Sequence, residues 1–417
     1  MISYRFNSLV VAMLVFSTYL CGCGESDIAT DPEKTADALR SLPYAAGSAI
    51  ENKVADGVVC YDPKQSSPGY NLYSGFNLSM AELIDAQGTV INRWSYSPNK
   101  TWWHCELLAN GDLLVIGADE PSGAEPPLPS GRWPDKTRYV MRLNWQGKIL
   151  WKQRMPAHHD IGLTPEGKLI VLTLQRRLEP QIHPKIPLRD DLILLLEQDG
   201  SIVDSMSIFD AIGHNPQGFL PLKRIEPTDI GGSPWVDLFH ANSVEWIDHT
   251  HLAEKDRIYN LDNVIVCIRH QDRVAIFNWT QRKLVWSWGR DIISGPHDAH
   301  VLKNGNVLVF DNGLNRQRSR GIEINPITER IVWEYDGDSA DFYTVAGGAI
   351  ERLPNGNTLM TLSDKGRAVE VTHDGQIVWE YLCPHEVAPR HRSRIVRMKR
   401  YPTRYVQTII AEQRGKN

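Results

Sequence analysis

Short apolar runs broken by turn residues dominate the chain from about residue 57 onward. Within each run apolar and polar positions alternate, and QG, DG or NG pairs separate one run from the next. That arrangement is the strongest short-range signal for β-hairpins. A longer phrase recurs roughly every 40 residues, a period that marks a repeat architecture. The copies are AELIDAQGTVINRWSY with HCELLANGDLLVIG, YVMRLNWQGKILWKQ with HHDIGLTPEGKLIVLT, and DLILLLEQDGSIVDS with HANSVEWI and NVIVCIRH. Three more follow: VAIFNWTQRKLVWSWG with HDAHVLKNGNVLVFDNG, RGIEINPITERIVWEYDG with GGAIERLPNGNTLMTLSD, and AVEVTHDGQIVWEY with HRSRIVRMKRYP. No long helical period interrupts them. Four-stranded units of this size cannot bury both apolar faces alone, and stacked radially they can. The pattern predicts an all-β fold, a six-bladed β-propeller. The last copy is short of a strand and GVVCYDPKQSSPGYNLYS stands unassigned ahead of the first, so an N-terminal strand is expected to close the ring. A seven-bladed ring is the alternative, because the third unit (Asp191 to Asp272) carries the insertion GHNPQGFLPLKRIEPTDIGGSPWVD.

Composition sharpens this in two ways. The 13 tryptophans fall mostly in strand phrases such as ILWK, LVWSWG and IVWEY, which argues for structural repetition. The formal charge of -5, with lysines and arginines scattered, argues against a nucleic-acid partner. The chain begins differently from the rest. Arg5 precedes an apolar run from Leu9 to Leu20, shorter than the roughly 20 residues of a membrane-spanning helix. Residues 1–22 therefore read as a signal peptide, and Leu20-Cys21-Gly22-Cys23 resembles the bacterial lipobox. On that resemblance Cys23 is lipidated, residues 23–56 form a polar tether, and residues 57–417 form the propeller domain. The implied location is the bacterial cell envelope, lipid-anchored to a membrane and facing the periplasm or the cell surface; an ordinary cleaved signal is the alternative. Cys60, Cys105, Cys267 and Cys383 are too widely spaced for a zinc site or a disulfide framework.

Polar residues converge where the strand nearest the axis begins. His104, His159, His240 and His297 each stand near the start of an expected inner strand, in similar register, so different blades can bring imidazoles together at one channel mouth. His300 and Asp298 flank His297. Arg269 and His270 close the strand NVIVCIRH, and Arg320 opens the strand after FDNG. An arginine fork with imidazoles suits an anionic ligand. Packing or surface ion pairing is the alternative for each of these residues. No tight metal-ligand spacing of the HExxH kind is present, so no metal centre is expected, although a Ca²⁺ ion on the propeller axis stays open.

PGYNLYS, LFHANSVEW, IVCIRHQD, GPHDAHVLKNGNVLVFDNG, the Ser-Arg pair at 319–320 and the repeated IVWEY together resemble the bacterial arylsulfotransferase family. The likeness runs through most of the chain beyond residue 57. It implies a six-bladed propeller that moves a sulfuryl group from a phenolic sulfate ester to an acceptor phenol through a sulfurylated histidine, with no nucleotide donor. His240, His297 and Arg320 then take the places of family residues that bind the sulfuryl oxygens and assist proton transfer. His104, His159, Arg269, His270, Asp298 and His300 are expected around the substrate. The sequence departs from the family at one point. Its nucleophilic histidine belongs before the next inner strand, where this chain reads TVAGGAIERLPNGNTLM, and the position in register with His297 is Gly348. Three readings follow: a sulfotransferase with a relocated nucleophile, another enzyme such as a sulfate-ester hydrolase or polysaccharide lyase, or a non-catalytic binder of anions or anionic glycans.

Overall fold

The hairpin pattern folds into six sheets of antiparallel hairpins arranged around an axis, and a small seventh sheet joins Gly47–Ala49, His391–Ser393 and Glu386–Ala388. In the computed structural model the described residues are 47–49, 55–76, 78–96, 101–119, 135–213, 219, 234–337 and 341–415. All belong to one compact unit, 43–417. The signal segment, Cys23 and most of the 23–56 tether lie outside the described residues, as does most of the insertion that suggested a seventh blade.

From the axis outward, blade II is Thr101–Leu107, Leu113–Ala118, Arg138–Leu143 and Ile149–Arg154. Blade III is Ile161–Leu163, Leu169–Arg177, Leu188–Leu196 and Ile202–Ser207, with Val236–Asp237 added in parallel to the third strand. Blade IV is Ala241–Trp246, Asn263–Ile268, Arg273–Asn278 and Lys283–Trp288. Blade V is His297–Val301, Val307–Asp311, Arg320–Asn325 and Arg330–Tyr335.

Closure is double. Blade VI has four strands of its own, Ala349–Arg352, Thr358–Leu362, Arg367–Val371 and Ile377–Leu382, and the N-terminal Gly57–Tyr61 adds a fifth at its outer edge. Blade I takes its innermost strand, Ile395–Pro402, from the C-terminal end of the chain, and Gly69–Gly75, Met80–Ile84 and Val90–Ser95 follow it outward. The strand that seemed missing from the last copy is thus Gly69–Gly75, which lies in the N-terminal segment and pairs with Ile395–Pro402. Helix Thr403–Arg414, which the strand pattern did not announce, buries Val406 and Ile409 against blades I and II.

The core lies between blades, and the two-residue side-chain period explains how. Val264, Val266 and Ile268 face Ile170 and Leu172 of blade III, while Ile265 and Cys267 between them face Val309 and Ile322 of blade V. A strand covered on both faces reads as a continuous apolar run, as NVIVCI does. Tryptophan fastens neighbours. On the fourth strand from the axis of four blades, Trp94, Trp151, Trp333 and Trp379 donate their indole N–H to carbonyls of Asn144, Gln198, His373 and Ala86 in a turn of the next blade, at 2.8–3.0 Å.

Candidate functional site

Polar residues of the inner strands separate into two layers. The deeper layer fills the axis. Arg397 of blade I pairs with Asp160 of blade III at 3.0 Å and with Asp298 of blade V at 2.9 Å, contacts across three blades that only an axial side chain can make. His104 lies 3.5 Å from Asp160; His300 lies 3.2 Å from Asp298 and 2.6 Å from Glu245, and Lys399 pairs with Glu106 at 2.6 Å. The same layer locks each blade to the next. Asp160 accepts the Val244 N–H, Ser243 Oγ accepts the Ala299 N–H, and Asp298 accepts the Ile350 N–H. Buried backbone donors need such partners, which is why this register carries Asp or Ser.

Above it, where the inner strands begin, imidazoles from blades III, IV and V gather. His159 and His240 have φ values of 58° and 52°, and Asp298 one of 52°. Left-handed conformations are uncommon for non-glycine residues and concentrate at sites whose surroundings enforce them. The rings of His158 and His159 are 5.0 Å apart, those of His159 and His240 5.0 Å, and those of His240 and His270 4.5 Å. Asp237, buried in the short parallel strand of blade III, accepts from His240 Nδ1 at 2.7 Å and from Arg189 at 3.0 Å. Arg269 reaches His270 Nε2 at 3.1 Å.

Hydrogen bonding sets every tautomer. His270 donates Nδ1–H to the Asp237 carbonyl, so its Nε2 accepts from Arg269. His158 donates Nε2–H to the Thr173 carbonyl, which leaves its Nδ1 to accept from His159 Nδ1–H. Asn312 gives its amide hydrogens to the carbonyls of Thr344 and Gly347, so its oxygen accepts His297 Nδ1–H at 2.7 Å. His159, His240 and His297 therefore all present an Nε2 lone pair. The His297 lone pair takes a 3.3 Å hydrogen bond from the Gly347 N–H, while Nε2 of His159 and of His240 has no hydrogen-bond partner among the described residues.

Electrostatics keep these rings neutral. Burial, then Arg269, pushes His297 down to about 3. Burial drives His159 and His240 well below the ordinary imidazole value, reinforced at His159 by His158 and Arg189 and opposed at His240 by Asp237. For Asp237, burial works upward, but Arg189, His240 and His270 outweigh it and hold the carboxylate well below its usual range. Arg394, buried just ahead of the inner strand of blade I, is lowered to about 10 by burial and by the charge of Arg269. The neutral imidazoles thus stand beside two buried guanidiniums, of which Arg394 is ion-paired with Asp364 and bonded to the Ala346 carbonyl and Arg269 is bonded to His270.

The expected site residues thus divide. His159, His240, Arg269, His270 and His297 meet at the mouth. His104, Asp298 and His300 belong to the axial layer beneath it, where Asp298 and Glu245 hold His300 well above the ordinary value against its burial. Arg320 is placed elsewhere, with Asp311 at 2.9 Å, Glu334 at 2.8 Å and the Ile292 carbonyl at 2.8 Å. The reason lies in FDNG: Asp311 organises its loop through the N–H groups of Ser294 and Gly313 and draws Arg316 and Arg320 to itself. Asp237, Arg189 and Arg394 were not anticipated. Asp237 stands three residues before His240 in VDLFH, a spacing that could have flagged it.

Gly348 has φ 122°, and a Cβ there would lie 2.6 Å from Cδ1 and Cε1 of the Phe310 ring. The backbone at this position is shaped for glycine. A metal fits poorly at the mouth. Asp237, His240 and His270 offer ligand atoms within 4.8 Å of one another, but Arg189 and Arg269 already hold two of the three. On the axis, a cation would share its place with Arg397 and Lys399.

The chain is similar to a protein of unknown function from Bacteroides caccae, at 14% identity over 80% of this chain and 98% of that one, TM-score 0.49. It is also similar to a catalytically inactive virginiamycin B lyase from Staphylococcus aureus with quinupristin, at 10% identity over 78% and 87%, TM-score 0.41. A third similarity is to apo AztD from Citrobacter koseri, at 10% identity over 80% and 98%, TM-score 0.40. Among curated proteins, none matches. The sequence profile of the family described as arylsulfotransferase (ASST) matches residues 137–383, more than half of the chain, and the protein belongs to that family.

Proposed function

We propose that the protein transfers a sulfuryl group from an aryl sulfate to an acceptor hydroxyl, with His240 as the covalent carrier in place of the histidine absent at Gly348. The observation that carries this reading is the Asp237–His240 pair. A buried carboxylate 2.7 Å from Nδ1 holds the ring in the tautomer whose Nε2 lone pair is unengaged, the arrangement by which a carboxylate orients a catalytic imidazole. In the first half-reaction that lone pair attacks sulfur, the sulfur–aryl oxygen bond breaks, and the phenolate leaves to take its proton from solvent. In the second, the acceptor hydroxyl gives its proton to Nε2 of His159, its oxygen attacks sulfur, and the nitrogen–sulfur bond breaks. Arg269 supplies positive charge for the sulfuryl oxygens, whose charge shifts in the transition state as in phosphoryl transfer; Arg394 beside it is shared with Asp364. No metal or nucleotide enters the scheme.

The test is incubation with 4-nitrophenyl sulfate, with and without phenol. Acceptor-dependent release of nitrophenol supports transfer. Release that is independent of acceptor indicates a hydrolase, and no release with either overturns the reading.

A further inference from the structure

The third strand of blade III, Leu188–Leu196, interrupts an otherwise apolar run with Arg189, Asp190 and Asp191, all almost fully buried. Buried charges persist where something meets them. Arg189 pairs with Asp237, and Asp190 accepts from Gln175, Ser207 and the Phe209 N–H. Asp191 is only half used. Its Oδ2 accepts the Ala241 N–H at 2.7 Å, while its Oδ1 makes no hydrogen bond and lies 3.4 Å from His158 Nε2 and 3.5 Å from Arg189 Nε. His158 likewise has no part in the reaction at the mouth. Its neighbour His159, held in a left-handed backbone, faces His240, and the Nδ1 atoms of His158 and His159 stand 2.9 Å apart with the proton on His159. On its far side His158 gives Nε2–H to the Thr173 carbonyl at 3.0 Å, with Asp191 Oδ1 the second oxygen near that proton. His159, His158 and Asp191 thus follow one another from the mouth into blade III.

We infer that His158 and Asp191 form a proton relay behind His159, which takes charge away from the mouth when an acceptor hydroxyl is deprotonated. The inference rests on the sulfuryl-transfer reading for the source of the proton. As His159 Nε2 takes the hydroxyl proton, the Nδ1–H of His159 moves to His158 Nδ1. One proton enters His159 and one leaves, so His159 stays neutral. The positive charge appears on His158, whose Nε2–H is shared between the Thr173 carbonyl and the Asp191 carboxylate. After the sulfated product departs, the Nε2 proton of His159 goes to solvent and the Nδ1 proton of His158 returns to His159. The relay answers an electrostatic difficulty. A proton held on His159 has no carboxylate hydrogen-bonded to it among the described residues, and burial, His158 and Arg189 all oppose it. On His158, burial, Arg189 and Arg138 also oppose the charge, but Asp191 lies on the Nε2 side and Asp237 favours it. Burial, opposed by Arg189 and reinforced by Asp237, raises the Asp191 carboxyl, and a buried carboxylate left short of partners gains from a cation formed beside it.

The resting wire is tested without turnover. In protein carrying nitrogen-15 histidine, NMR should show a nitrogen–nitrogen coupling between the Nδ1 atoms of His158 and His159, with that proton on His159 and Nε2–H on His158. No coupling, or a proton resting on His158 Nδ1, would overturn the relay whatever the activity. Half-reactions test its use. His158→Gln should slow the phenol-dependent step about 10²-fold, the low end of what general-base catalysis contributes, and slow the nitrophenol burst from donor alone far less. With pentafluorophenol, an acceptor ionised at neutral pH that has no proton to give, the loss should vanish. Asp191→Asn should show the same split. Equal slowing of both half-reactions, or an equal loss with phenol and pentafluorophenol, is what a structural role alone produces and would overturn the relay. Absence of transfer in the parent with the coupling intact would overturn only the reaction. Thermal melts confirm that both variants are folded.

Discussion

Placing a methyl group at Gly348 tests why the family's histidine is missing. With φ at 122°, any L-residue here sits in backbone territory that glycine occupies almost alone, at about 1–3 kcal/mol. The new Cβ would also meet Cδ1 and Cε1 of Phe310 at 2.6 Å, and Phe310 is fully buried between blades V and VI. Overpacking a filled core adds about 1–3 kcal/mol. Gly348→Ala should therefore lose about 2–6 kcal/mol, a large share of the roughly 5–15 kcal/mol that holds a domain together. Urea unfolding measures this as a lower midpoint at unchanged slope. In a Phe310→Ala background the steric part should disappear and the backbone part remain, so Gly348→Ala should then cost only about 1–3 kcal/mol. Gly348→His should be at least as destabilised and should not gain transferase activity. An alanine variant within about 0.5 kcal/mol of the parent would refute the reasoning and reopen this position to a nucleophile.

Asp237→Asn should lower transfer by about 10²- to 10⁴-fold, since the amide can impose the wrong His240 tautomer; steady-state kinetics and a melt of the same variant separate this from misfolding. Arg397→Met leaves Asp160 and Asp298 facing each other without their shared cation and should cost about 3–5 kcal/mol in urea unfolding. Stability should also fall in acid. His297 takes up its proton near pH 6.5 when unfolded but only near 3 when folded, so the unfolded state binds more protons between those values. Each pH unit below 6.5 removes about 1.4 kcal/mol from this residue alone, and His104, His158, His159 and His240, all held well below the ordinary value by burial, act in the same direction, while Asp160, Asp190 and Asp191, each raised to about 6 by burial, oppose them between about pH 6 and 4. A urea midpoint that rises from pH 6.5 to 5 would contradict the neutral-imidazole assignment.

Much of the fold could be read because a propeller repeats its local rules. The NG and DG turns mark hairpins, and the outer-strand tryptophans recur because each binds a turn of its neighbour. The origin of the innermost strand of blade I was harder to see. Ile395–Pro402 pairs with residues more than 300 positions earlier, and no local pattern carries that register. At the site, sequence register found the imidazoles that begin inner strands. It could not tell the mouth from the axis, because Asp298 is adjacent to His297 and Asp160 to His159, and a left-handed residue in each pair, Asp298 and His159, sends the two neighbouring side chains to different layers. Ser243 and Asn242 in HANS show the same limit: they fasten Ala299 and Pro296 of the next blade. Arg320 follows Ser319 in a motif-like pair, yet Asp311 claims it across the strands. Arg394 enters the site only through ring closure, which sequence spacing does not reveal.

The central claim is that His240 carries the sulfuryl group. Intact-mass measurement after exposure to 4-nitrophenyl sulfate alone, quenched at alkaline pH, followed by peptide mapping, tests it most directly. The account predicts a gain of one sulfuryl group on the peptide containing His240, removed by added phenol and absent in His240→Ala. An adduct on His297 or any other residue, or acceptor-dependent transfer with no adduct at all, would contradict it.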